Sequence, residues 1–111
     1  PGAVHVFTRT GTNWHERAAL EVVDDEIDNE FGFDVALDGT TALISSTVDT
    51  ERGDDAGAVY VFTGGGADWR QQTKLLPSPG SDDAGFGRSV DLDGRTVAIG
   101  TLYGGSFFAS P

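Results

Sequence analysis

The 111-residue chain carries 18 acidic residues against 7 Lys and Arg, a formal net charge of −11 at pH 7, and binding a phosphate backbone needs a basic surface, so no nucleic-acid partner is expected. Cysteine is absent, which removes disulfides, thiolate metal sites and thiol nucleophiles. No run of about 18 apolar residues occurs, so no membrane insertion by a helix is expected, and the start at Pro1 without an initiator Met predicts a chain cut from something longer.

In chain order, GAVHVF at 2–7 reads as a first strand, TRTGTN at 8–13 as a turn, and WHERAAL at 14–20 as a second strand. Seven residues are too few for a helix to stand alone. An acidic loop, Asp24–Glu30, leads to FGFDVALDGTTALIS at 31–45. There Val35 and Leu37 alternate up to Asp38-Gly39, a dipeptide that favours a tight hairpin turn with positive φ, and the chain returns through Ala42–Ile44. A second acidic loop, Asp49–Asp55, follows.

GAVYVF at 57–62 then repeats the opening, 55 residues on. Its strand alternates Ala58, Tyr60 and Phe62 with Val59 and Val61, so both faces are apolar and both are expected to be covered. TGGGAD at 63–68 is a turn, Trp69–Leu76 a second strand with an exposed middle at Arg70, Gln71 and Gln72, and FGRSVDLDGRTVAIG at 86–100 a second Asp-Gly hairpin. Paired at this spacing, 18 of the first 43 positions are identical, from Gly2/Gly57 to Ile44/Ile99, and none of the last 12. A fixed period of this kind marks units that stack because none buries its apolar surface alone. Two hairpins per unit make a four-stranded antiparallel sheet, and such sheets in tandem are the blades of a β-propeller. The expected fold is therefore all-β, an arc of a propeller built from two repeats, 2–56 and 57–111.

FGFDVALDGTTALISS followed by GAVYVF, Trp69 and Leu75 resembles the FG-GAP repeat of integrin α-chain propellers, and more closely that of the acidic multi-repeat proteins of bacteria and archaea. Two departures stand out: Ser45-Ser46-Thr47 and Gly100-Thr101-Leu102 replace the Gly-Ala-Pro usual in the family, and the tail LYGGSFFASP leaves the pattern. The resemblance implies one complete blade over 31–76, half-blades at 2–20 and 86–103, and partnership with the remaining blades of the same propeller. It also implies an extracellular or cell-surface, non-enzymatic module for adhesion or protein interaction. The alternative is an accessory domain of a secreted hydrolase or lyase whose catalytic domain lies elsewhere; a third reading has the propeller itself bind carbohydrate, with Tyr103, Phe107 and Phe108 as candidate sugar contacts.

Two readings of the acid excess compete: a solvated or salt-adapted surface, and divalent-cation sites. In integrin-like repeats the FG hairpin often holds calcium, which makes Asp34, Asp38, Asp91 and Asp93 the candidate ligands here. Each hairpin offers two carboxylates where calcium takes roughly six to eight oxygens, so plain Asp-Gly turn chemistry accounts for them better, and no cofactor is required. His5 and His15 align with Tyr60 and Arg70, outside the recurring framework, and the recurring Phe7, Phe31, Phe62 and Phe86 are expected in the core, as are Trp14 and Trp69. No phosphate cradle or Gly-x-Ser-x-Gly elbow occurs, which leaves catalysis without a candidate residue.

Overall fold

The computed structural model describes residues 2–21, 31–53, 55–78 and 82–101, and among them every regular element is a strand. In chain order these are β1 (Val4–Thr10), β2 (Asn13–Leu20), β3 (Val35–Asp38), β4 (Thr41–Ser46), β5 (Ala58–Gly65), β6 (Asp68–Leu75), β7 (Ser89–Asp93) and β8 (Thr96–Gly100). They form a central four-stranded antiparallel sheet in the order β3-β4-β5-β6, with a two-stranded sheet, β1-β2, before it and another, β7-β8, after it. The sequence pattern extends β5 only to Phe62; pairing carries it three residues further, through Thr63, Gly64 and Gly65.

Among the described residues, four of the hairpins close the same way, and only β4 and β5 are joined by a longer loop. The last paired residues are Thr10 with Asn13, Asp38 with Thr41, Gly65 with Asp68, and Asp93 with Thr96, which leaves two-residue loops. Each loop opens on a glycine at positive φ: Gly11 at 62°, Gly39 at 60°, Gly66 at 56° and Gly94 at 60°. Glycine at the first of two central positions is the type II′ signature, whose twist matches that of the flanking strands. Asp38 and Asp93 are thus the last residues of their strands rather than turn centres, which leaves their carboxylates able to reach sideways.

The outer hairpins share a further irregularity. Val6 pairs with Ala18 and Phe7 with Glu16, so Arg17 is an extra residue; Val61 pairs with Thr73 and Phe62 with Gln71, so Gln72 is its counterpart. Such bulges bend the strand and increase its twist.

The FG and GAV motifs recur together because they meet. Gly57 forms a parallel bridge with Phe86, and a Cβ at Gly57 would run into the Phe86 backbone. A Cβ at Gly2 would run into the Phe31 backbone in the same way, so both copies need glycine where one unit's outer strand crosses the next unit's FG turn.

The core fills the space between β1-β2 and the central sheet. Leu20, Phe31, Ala42, Ile44, Tyr60 and Phe62 are buried there, with Val4, Val6 and Trp69 packed against them. Phe31 presents its ring edge-on to Tyr60 at 5.4 Å and to Phe62 at 6.0 Å between centroids. The first copy departs from this pattern: Phe7 and Trp14 stand 51% and 63% exposed, and His5 is exposed beside Glu16. Their second-copy counterparts Phe62, Trp69 and Tyr60 are covered by β1-β2, whereas among the described residues no sheet lies on the corresponding face of β1-β2.

Candidate functional site

The side chains that chemistry could use gather in three places: the seam between the central sheet and β7, the loop from β4 to β5, and a cleft beside β1.

At the seam, β3 and β4 pack against β7. Asp34 is fixed by Ser45, whose fully buried hydroxyl accepts the Asp34 N–H at 3.0 Å while the Ser45 N–H donates to the Asp34 carbonyl at 3.0 Å. So held, the Asp34 carboxylate accepts the Val90 N–H at 2.9 Å, and four residues on the Asp38 carboxylate accepts the Gly94 N–H at 2.7 Å. A carboxylate accepting a backbone N–H makes a short, charge-assisted bond, and these two bonds tie β3 to the next unit at both ends of β7. Asp91 accepts the N–H of its own neighbour Leu92 at 3.0 Å, and Asp93 is exposed at the end of β7. Of the four predicted calcium candidates, Asp34 and Asp38 thus reach across the seam to backbone N–H groups, while Asp91 and Asp93 stand exposed on β7. Among the described residues no three His, Asp or Glu side chains converge in a way that could hold a metal ion.

In the β4–β5 loop, Asp49 is fully buried and saturated with donors. Its carboxylate accepts the Tyr60 hydroxyl at 2.9 Å, the Lys74 ammonium at 2.9 Å and the Glu51 N–H at 3.0 Å. Lys74, the chain's single lysine, also reaches Glu51 at 2.8 Å and lies 5.2 Å from the centre of the Tyr60 ring. Burial lowers the pKa of the Lys74 ammonium, but its hydrogen bonds to Glu51 and Asp49 and the Asp49 charge outweigh that and hold it above the ordinary lysine value of 10.5. Asp49, buried in the second acidic loop, thus already has its cation. Sequence reasoning missed this cluster, although a signal was present. Tyr60 and Lys74 pair across β5 and β6, while the first copy has His5 opposite Ala19, so two facing positions change together between copies.

The cleft, of about 270 Å³, is apolar and lies between β1 and the β3-β4 hairpin, bordered by Val4, Val6, Leu20, Val35, Leu37 and Ile44. Val35 and Leu37 are 50% and 63% exposed on its wall. Of the two histidines, His5 lines this cleft and contacts Glu16 at 2.9 Å on the surface, and His15 is exposed on β2. Asp24–Glu30, Tyr103, Phe107 and Phe108 lie outside the described residues.

No helix among the described residues is long and apolar enough to cross a membrane. Comparison with curated proteins and with solved structures returns no match. The profile of the FG-GAP repeat matches twice, over residues 14–62 and 69–106, the two matches starting at Trp14 and Trp69, the same position of the two copies. With paired antiparallel hairpins in each copy and carboxylates stitching one unit to the next, the chain belongs to the FG-GAP repeat family.

Proposed function

We propose that the chain is a non-enzymatic, β-propeller-type interaction module of a cell-surface or extracellular protein, engaged in adhesion or protein recognition and working without a resident cofactor. The observation that carries this reading is where the polar side chains go. Asp34, Asp38, Ser45 and Asp49 are bound to backbone and side-chain donors within the frame, so they hold units together and leave turns and loops to meet a partner. Loops on a rigid scaffold are where propellers generally recognise ligands.

A second reading, an accessory carbohydrate-binding domain of a secreted hydrolase or lyase, draws support from Trp14, which is 63% exposed with the Arg9 guanidinium 5.8 Å from its ring centre. An exposed indole offers a face on which a sugar stacks. Immobilised chain exposed in parallel to extracellular matrix proteins and to a glycan panel separates the two. Saturable protein binding that survives alanine at Trp14, Tyr103, Phe107 and Phe108 is the expected result. Glycan binding lost in those variants favours the second reading, and turnover of a polysaccharide or phospholipid by the chain itself overturns the non-enzymatic one.

A further inference from the structure

Aspartate followed by glycine is the least hindered setting for a reaction between neighbours in a chain, because glycine brings no side chain to shield its nitrogen from the carboxyl carbon beside it. One such pair, Asp93-Gly94, sits where β7 turns into β8. Both residues are exposed, and a Cβ at Gly94 would meet nothing within 4 Å, so water and base reach the turn. What the Gly94 nitrogen lacks is freedom. Its N–H donates to the Asp38 carboxylate at 2.7 Å, across the seam between β3 and β7.

The acceptor is held in place from both sides. Asp38 ends β3, paired with Thr41 in its own hairpin. At the other end of that strand the Asp34 carboxylate takes the Val90 N–H at 2.9 Å, so β3 is fixed alongside β7 at two points. The bond to Gly94 is therefore part of the frame, although the turn it reaches is open to solvent.

We propose that Asp93-Gly94 is a site of spontaneous backbone isomerisation, and that Asp38 is the residue that suppresses it. In the reaction the Gly94 nitrogen gives up its proton to a solvent base and bonds to Asp93 Cγ, and a carboxyl oxygen leaves as water. The cyclic imide so formed takes back one water at the Asp93 main-chain carbonyl, breaking the bond from that carbon to the Gly94 nitrogen. The peptide link then runs through Cγ, and the former main-chain carbonyl is a free carboxylate. One water is lost and one regained, with no change of oxidation state.

Asp38 opposes the first step in two ways. A carboxylate bonded to the N–H disfavours loss of that proton, since two negative charges would then adjoin. The bond also points the amide across the seam, and the nitrogen has to leave it before it can turn to Asp93. Where isomerisation does occur, the main chain gains a methylene at the last residue of β7. That spoils the pairing of Asp93 with Thr96 and the two-residue turn that depends on it. The proposal goes beyond the reading as an interaction module and is tested apart from it, because the reacting pair and its guard lie within residues 38–94 and no ligand takes part.

Peptide mapping of the full chain tests it. Wild-type, Asp38→Ala and Asp34→Ala chains are aged in neutral, high-salt buffer, and a portion of each is aged in urea. Trypsin then releases Ser89–Arg95 as one peptide. Isomerisation leaves its mass unchanged, but shifts its retention and blocks an endoproteinase that cuts before Asp93. In urea the three chains should isomerise at one rate. In native buffer the wild type should fall about 10- to 100-fold below that rate, the worth of one hydrogen bond to a charged acceptor. Asp38→Ala, checked for its fold by circular dichroism, should recover most of the difference. Asp34→Ala breaks the other seam bond but leaves Gly94 held, and should stay slow. Hydrogen exchange of the wild-type Gly94 amide needs no variant, and should be slow for so exposed a turn. An Asp93 that isomerises as fast in the native wild type as in urea overturns the proposal, as does a freely exchanging Gly94 amide. So does an Asp34→Ala chain as fast as Asp38→Ala, which would mean that the seam as a whole protects the turn.

Discussion

Tyr60 and Asp49 meet through a 2.9 Å hydrogen bond that is sealed from water on both sides, with 1% of the tyrosine and none of the aspartate exposed. The bond draws the β4–β5 loop down onto the central sheet, and Lys74 fixes it there from the neighbouring strand. Removing the carboxylate leaves a tyrosine hydroxyl and a largely covered ammonium short of a partner. Breaking a buried pair from one side costs about 3–5 kcal/mol, and Asp49→Ala is expected at the lower end because Glu51 still reaches Lys74. Asp49→Asn keeps an acceptor for Tyr60 and should lose about half as much. Urea midpoints of the chain in high salt, followed by far-ultraviolet circular dichroism, give both values.

The same cluster sets a pH dependence. The folded-state pKa of Lys74 is raised, so the stability it contributes is complete below the unfolded lysine value of about 10.4 and is lost as pH climbs through the higher folded one. Its contribution should be flat across neutral pH and fall only in strong alkali. Lys74→Met removes that alkaline loss; a wild-type and a Lys74→Met chain with parallel midpoints from pH 9 to 12 would show that the pair contributes nothing.

Two glycines with positive φ should respond very differently to alanine. At Gly94 (φ 60°) a Cβ meets nothing within 4 Å, so Gly94→Ala carries only the left-handed backbone cost of about 1–2 kcal/mol. At Gly57 (φ 93°) the methyl also strikes the Phe86 backbone, which adds an overpacking cost of about 1–3 kcal/mol. A smaller loss at Gly57 than at Gly94, read from urea midpoints, contradicts the close approach of the two units.

Calcium is expected to change little. Asp34 and Asp38 already accept N–H groups from β7, and an ion would have to break those bonds to recruit them. Titration calorimetry on chelator-treated chain should show no saturable heat at micromolar calcium. A site lost on Asp91→Ala or Asp93→Ala would assign these carboxylates to ion binding instead.

Monovalent salt should stabilise the fold. With 18 acidic residues against 7 basic ones, repulsion opposes compaction, and screening shortens its reach from roughly 10 Å at 0.1 M to roughly 3 Å at 1 M. NaCl and KCl should raise the urea midpoint equally. An unmoved midpoint would mean that the carboxylates are already neutralised by partners.

The strands and hairpins were legible because they depend on local pattern: alternation in GAVYVF, and glycine at each turn. Joining the two copies at one period then placed Phe31 and Phe62 in the core. What that comparison could not show is that equal residues do not have equal surroundings. Phe7 and Trp14 match Phe62 and Trp69 in identity, yet they face a side of the stack on which no described sheet lies. The site was harder to read. Asp34 and Asp38 were found as carboxylates near a turn, but their partners are backbone N–H groups 56 residues away, which carry no mark in the sequence. The Asp49 cluster was hidden for the opposite reason: it exists in one copy only, so a search for what recurs passes over it.

The four two-residue turns also bear on how fast structure can form. Every hairpin joins strands adjacent in the chain, and an isolated hairpin closes in about 1–10 μs. Contacts of such short sequence separation place little loop entropy ahead of the first ladder. Each hairpin can therefore nucleate independently, and the slow event is the docking of preformed hairpins at a seam. The Gly94 turn is made before that event and Gly57, where one unit crosses the next, is engaged in it, so a substitution at Gly94 should chiefly slow refolding, whereas one at Gly57 should also speed unfolding to the extent that the crossing is completed after the docking transition state.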